Sequence, residues 1–298
     1  MLPSHPQLPR VINWLERVRR GKHLPNFWMS PAFICEKLAQ NEWQWQGEPG
    51  LMESGEWVFP PIDEDGSIHP VETPIWADFP RLEEIVPGES PAPELPSRVL
   101  DRQYIFVPID VLLFKHSHHS FKDNVRKFDR KYCKDIVTLN LEGSLALEPD
   151  QVEERINLLV KWLEPRRDLV QDDQMMQAYL SQDLPHVYSQ HFYLKHQLIG
   201  VNIFEHYGSW NWFRYNFTDP AFPLLNEWTR YQMYQFLSGR MGIHMAQVND
   251  GGDLDNPGLA RFKQRLGPSQ VLYVHSWIRK EDNGEQNGNP GEVSSRSA

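Results

Sequence analysis

Lys263 is the residue whose type sits least comfortably with its position. In VNDGGDLDNPGLARFKQRLG, residues 248–267, Leu259, Phe262 and Leu266 recur at i, i+3 and i+7, the apolar stripe of a helix, and Lys263 stands at the i+4 position that completes it. A lysine there either packs its stem and sends the ammonium to water, or holds a charge at the rim of a cavity, where it donates to negative charge developing in a reaction. Gly251 and Gly252 precede the helix, and backbone N–H groups at a helix start suit an anion. Asp250, Asp253 and Asp255 crowd the same turn and oppose one, so a turn needing positive φ at glycine is the stronger reading.

Other groups invite chemistry with less focus. Lys122, Arg126, Lys127, Arg130 and Lys131 line a helical stretch, residues 121–134, that is either a solvated face or a holder of phosphate; Asp123, Asp129 and Asp135 dilute its field. Trp210, Trp212, Arg214 and Asn216 alternate as one face of a strand, an aromatic row with a polar end that could line a pocket. His116, His118 and His119 lack a carboxylate or cysteine at ligand spacing, so no metal is expected. Cys133 has no partner base and reads as a small buried side chain.

The elements that must position these residues follow from periodicity and punctuation. Helices are expected at residues 8–20, 31–40, 121–134, 149–164, 168–182, 223–240 and 257–266, several opened by proline. Strands are expected at 104–114, 136–141, 243–249 and 271–278, with an antiparallel meander at 187–195, 198–206 and 210–217. Nine prolines between residues 60 and 96 exclude a regular helix or a central strand there, leaving an acidic wrap over a surface or a mobile lid; Ile75, Trp76, Phe79, Leu82 and Ile85 supply apolar anchors that favour the wrap.

Composition bounds the class. With 30 Lys and Arg against 40 Asp and Glu, the net charge of −10 argues against a general nucleic-acid coat or a binder of anionic membranes. An apolar content of 40% supplies a packed core. Two cysteines make no disulfide framework, and the apolar run 105–114 is short of the roughly 20 residues of a spanning helix, so a soluble cytoplasmic protein is expected.

The meander, helix, strand, NDGG turn (249–252), GLARFK helix (258–263) and final strand resemble the acyltransferase fold of the GNAT superfamily. Within it they are most similar to the FemAB-like aminoacyltransferases and the C-terminal domain of phosphatidylglycerol lysyltransferases. There a Gly-rich turn leads into a short helix ending in Phe-Lys, matched by Phe262 and Lys263, and FKDNVRKFDRKY (121–132) is similar to their basic helix, with Lys122, Asn124, Val125 and Arg126 at matching places.

The resemblance implies an α/β (α+β) fold, a mixed, mostly antiparallel sheet flanked by helices, in two tandem GNAT-like halves. Residues 1–114 would be a degenerate first half, 115–280 the acyltransferase domain and 281–298 a disordered tail. It implies transfer of an activated acyl or aminoacyl group to an amine, with Lys263 as the catalytic oxyanion donor. Asn249 and Asp250 would position the acceptor beside Gly252 and Phe262, Arg214, Asn216 and Trp212 would line the cleft, and Lys122, Asn124 and Arg126 would hold a phosphate or carboxylate. Residues 218–224, TDPAFPL, lack the glycine loop that binds the pyrophosphate of acyl-CoA in the superfamily. Aminoacyl-tRNA is therefore the leading co-substrate over acyl-CoA, with no tightly bound cofactor. The rival expectation is a non-catalytic ligand-binding protein on the same scaffold.

Overall fold

A computed structural model describes residues 5–82, 97–141, 148–166, 173–182, 184–239, 241–253 and 256–277. The chain opens with α1 (Leu8–Arg20), which buries Val11, Leu15 and Val18, and α2 (Pro31–Ala39). A small antiparallel sheet follows, β1 (Gln44–Gln46), β2 (Gly50–Glu53) and β3 (Glu56–Trp57).

The remaining elements build the main layer. They are β4 (Ser97–Phe106), α3 (Pro108–Leu112), α4 (His119–Tyr132), β5 (Ile136–Leu141), α5 (Pro149–Leu163) and α6 (Asp173–Ser181), then the meander β6 (Val187–Leu194), β7 (Gln197–Tyr207) and β8 (Trp210–Thr218). After these come α7 (Leu225–Gly239), β9 (Val248–Asn249), α8 (Pro257–Leu266) and β10 (Gln270–Trp277). Asn256 caps α8 by accepting from the N–H groups of Gly258 and Leu259, and Gly267 ends it at φ +81°.

The seven strands lie in the order β10-β4-β9-β8-β7-β6-β5, antiparallel throughout except for β8 beside β9. Helices cover both faces. On one, Val11, Trp14, Phe33 and Phe59 pack with Leu158, Tyr179, Val201 and Phe217; on the other, Tyr104, Phe121, Phe128, Phe213, Trp228 and Leu266 form a second core. The architecture is the mixed, mostly antiparallel, helix-flanked sheet expected. Segments on either side of residue 114 share one sheet and one core, because β4 lies between β9 and β10.

Two strands differ from those expected. The one predicted at 104–114 begins earlier, at Ser97, and stops at Phe106, because Pro108 occupies the first turn of α3. That predicted at 243–249 is only Val248 and Asn249, the two residues paired with β4 and β8. The segment 60–82 does wrap: Ile75 and Trp277, and Arg81 and Tyr273, exchange backbone hydrogen bonds along the outer side of β10, covering an otherwise open sheet edge. Ile75 and Phe79 are buried in it, whereas Leu82 is exposed. Ile85, residues 168–172 and the expected C-terminal tail lie outside the described residues. Among those described, no helix is long and apolar enough to cross a membrane.

Candidate active site

The sheet divides at β8 and β9. They pair only at Asn211 with Val248 and Trp212 with Asn249, after which β8 continues to Thr218 while β9 turns away. A gap therefore opens beyond Trp212, flanked by β8, which carries Trp212 and Arg214, and by β9, which ends at Asn249 just before Asp250.

The turn after β9 is tied down from several directions. Asn249 Oδ1 accepts from the N–H of Gly251, whose φ of +69° bears out the need for glycine there. Asp250 N–H donates to the Tyr104 carbonyl, and Tyr104 N–H to that of Gly251. Gly252 is glycine for a different reason: a Cβ would overlap the Asp101 carboxylate, which accepts from the N–H of Asp253. The chain's own carboxylate thus occupies the place where an anion at this turn would sit.

Lys263 is 4% exposed, so its ammonium does not reach water as a surface lysine's would. Its Nζ donates to the Asp250 carbonyl and stands 3.5 Å from the Asp250 carboxylate, which also pairs with Arg230 of α7. Burial lowers the Lys263 pKa, Asp250 works against the shift and Arg230 adds to it. Arg230 lies 4.7 Å from the Phe213 ring centroid and 5.3 Å from that of Phe262, so Phe262 packs on a cation beside the turn. Asp253 is held by Tyr104 Oη at 2.6 Å and Arg102 at 3.1 Å. Of the aspartates whose charge opposed an anion, Asp250 and Asp253 are thus already paired inside the protein, and Asp255 lies outside the described residues.

The opposite side of the gap is filled by the segment between α1 and α2. Trp212 Nε1 donates to the Asn26 carbonyl, and Phe27 N–H donates to Gln103 Oε1, which also accepts from Asn249 Nδ2. The Phe27 ring lies against Gly251 and 4.3 Å from the Arg214 guanidinium. Arg214 donates to Glu205 at 2.8 Å, and the same carboxylate takes Ser30 Oγ, Tyr179 Oη and the Ala32 N–H. Glu205 is fully buried, so these four donors replace its hydration.

Asn216 departs from the expected row. The β7–β8 register shifts between Ile203 and Phe204, leaving Arg214 as the extra residue of a bulge. Alternation reverses there, so Trp212 and Arg214 share one face while Asn216 turns to the other, donating to Thr229 Oγ1 of α7 and to Asn202 Oδ1. Asn216 closes an amide ladder through Asn202 and Gln190 to Asn140, directly opposite residues on four strands.

Trp212 and Asn249 line an open cleft of about 320 Å³ at the paired end of β8 and β9, with Trp210, Ile105, Leu272 and Gln247. Lys263, Asp250 and Arg214 do not line it. The basic helix contributes elsewhere: Asn124 donates to Glu227 of α7, which also binds Arg265 of α8. Lys122 lies 5.7 Å from the Phe114 ring centroid. Arg126 is exposed and borders a groove of about 510 Å³ between α4, β5 and α7. Cys133 lines this groove and is exposed, contrary to the buried side chain expected, because it opens the 3-10 turn after α4.

Sequence reasoning missed Arg230, Phe27, Gln103 and Glu205. Arg230 is 20 residues from Asp250 and Phe27 is 76 from Gln103, so local spacing carries no signal for either contact.

No family model and no curated protein matches the chain. Solved structures do. The L-PGS of Bacillus licheniformis superposes with a TM-score of 0.60 at 8% identity, over 95% of both chains. The C-terminal domain (DUF2156) of a putative lysylphosphatidylglycerol synthetase from Agrobacterium fabrum gives 0.58 at 10%, over 92% of this chain and 93% of that one. The chain spans 64% of a conserved protein of unknown function from Bacteroides thetaiotaomicron, with a TM-score of 0.49 at 13% identity over 63% of its own length. The fold is thus GNAT-like, in the form carried by the C-terminal domain of lysylphosphatidylglycerol synthetases.

Proposed function

We propose that the protein is an acyltransferase that moves an activated acyl or aminoacyl group to an amine. The observation that carries this reading is the placement of Lys263, buried, and Arg230, half-buried, two cations on one aspartate, at the end of β9 beside the gap in a GNAT-like sheet. An amine attacking an ester or thioester forms a C–N bond and a tetrahedral oxyanion; the C–O or C–S bond then breaks and the amine proton leaves with the alcohol or thiol. Fixed positive charge shielded from water stabilises such an oxyanion without reorganisation. Trp212 and Asn249 would receive the acceptor from the adjoining cleft, with Asp250, Gly252 and Phe262 holding the turn.

The loop between β8 and α7 favours an ester donor such as aminoacyl-tRNA over acyl-CoA. Asp219 there accepts from the N–H of Ala221 and is held by Lys161 and Gln197, so the loop carries a carboxylate that opposes a pyrophosphate in place of the glycines that would bind one. Arg126, Lys127, Arg130 and Lys131 are exposed on α4 and supply the basic surface for a carrier, with Lys122 and Asn124 on the same helix.

A second reading, a ligand-binding protein without chemistry, is favoured by Phe27 and Arg214, which fill the gap on one side. The test supplies amines with aminoacyl-tRNA and acyl-CoA pools separately and reads products by mass spectrometry. A product in either pool, reduced roughly 10²–10³-fold by Lys263→Ala with folding intact, supports transfer. Binding without product in both pools, or unchanged turnover in the folded variant, removes it.

A further inference from the structure

Arg155 of α5 is 4% exposed, yet among the described residues its guanidinium makes one hydrogen bond, from Nη1 to the Leu180 carbonyl of α6 at 3.2 Å. Nε and Nη2 are buried without a partner. These two nitrogens form a single edge of the guanidinium, the one that meets a carboxylate through two parallel N–H···O bonds. His191 of β6, fully buried, likewise leaves Nδ1 without a partner, while Nε2 lies 3.3 Å from Ser189 Oγ. The nearest acid along α5, Glu154, is engaged by Tyr193 Oη at 3.1 Å. A buried cation that lacks both counter-ion and hydrogen bonds on its most directional edge is costly, and a bound anion relieves that cost.

We infer that Arg155 and His191 form a binding site for a small carboxylate, gripped by the Nε–Nη2 edge and bounded by His191 Nδ1. The class follows from charge and surroundings. One guanidinium balances a monoanion, and the residues opposite His191 in register, Leu139 and Val201, are apolar and add no charge to offset the second charge of a phosphate. His191 adds none of its own, since burial and the Arg155 field push its pKa down to about 3. The site lies under α5 and α6, whose Tyr179 also donates to Glu205. It does not depend on acyl transfer.

The test compares the thermal midpoint of the full chain in acetate, phosphate and chloride at matched ionic strength, with the His191 ring followed by NMR. Acetate is expected to raise the midpoint saturably and to move the ring signals, and Arg155→Met to lose both responses. Arg155→Lys keeps the charge without the fork, so its acetate affinity should fall about tenfold or more, the loss of one charge-assisted hydrogen bond; it also decides the matter if Arg155→Met does not fold. Equal midpoints in acetate and chloride overturn the inference. So do phosphate saturating the response before acetate, persistence of the response in Arg155→Met, or undiminished affinity in Arg155→Lys.

Discussion

Lys263 and Asp250 are joined twice: the ammonium donates to the Asp250 carbonyl and stands 3.5 Å from its carboxylate. The lysine in the apolar stripe of α8 is thereby the clamp on the turn that ends β9. Because Arg230 shares that carboxylate, removing it strands the buried Lys263 and the half-buried Arg230. Asp250→Ala should cost about 3–5 kcal/mol in urea unfolding, and Asp250→Asn less, since the amide still accepts from Arg230. A change under about 0.5 kcal/mol for Asp250→Ala would show that the cations find other partners.

The bulge at Arg214 places Asn216 in the amide ladder under α7. Asn216→Ala leaves the Asn202 carboxamide oxygen without its cross-strand donor and should cost about 1–3 kcal/mol. Ligand affinity at the cleft of Trp212 and Asn249 should stay as in the wild type. Calorimetric unfolding and a titration with any cleft ligand separate the two effects; weakened binding with unchanged stability would return Asn216 to the cleft.

His191 makes stability depend on acid. Its pKa falls from 6.5 to about 3 through burial first and the Arg155 charge second. Between those values the unfolded chain binds the proton that the folded chain refuses, so stability declines as pH falls through the window, by roughly 4–5 kcal/mol in all. In chloride buffer, His191→Gln should flatten this part of the stability–pH curve. The same slope in wild type and variant would assign the loss to other groups.

The two thiols should separate in reactivity. Cys35 is buried with its pKa pushed up to about 12 by burial and by Glu205 and Glu36, while Cys133 is exposed beside the α4 groove. A thiol-specific disulfide reagent should modify one cysteine per native chain and both in denaturant. Reaction at Cys35 in the native protein would require α2 to open locally.

Much of the framework was legible before any coordinates, because it rests on local rules. The period of α1 and α4 and the prolines opening α2, α5 and α8 are decided by residues within a turn or two of one another. The Gly251 turn was readable for the same reason. Strands failed where the partner decides their length: residues 243–247 are as strand-like as Val248, but only Val248 and Asn249 pair with β4 and β8.

The sequence by itself determined the alternation of helices and strands, the anomaly of Lys263, the missing glycine loop at 218–224 and the wrapping of the Pro-rich segment over a surface, while the structure showed that surface to be the edge of β10. The tertiary structure alone decided which charges meet. Lys263 and Arg230 converge on Asp250, Phe27 fills the space beside β8, Asn216 turns away from Arg214 and Arg155 keeps an edge with no partner. The division has a physical cause. Backbone conformation is set by short-range sterics and hydrogen bonding, whereas the environment of a buried polar group is set by chain segments that reach it from tens to hundreds of residues away.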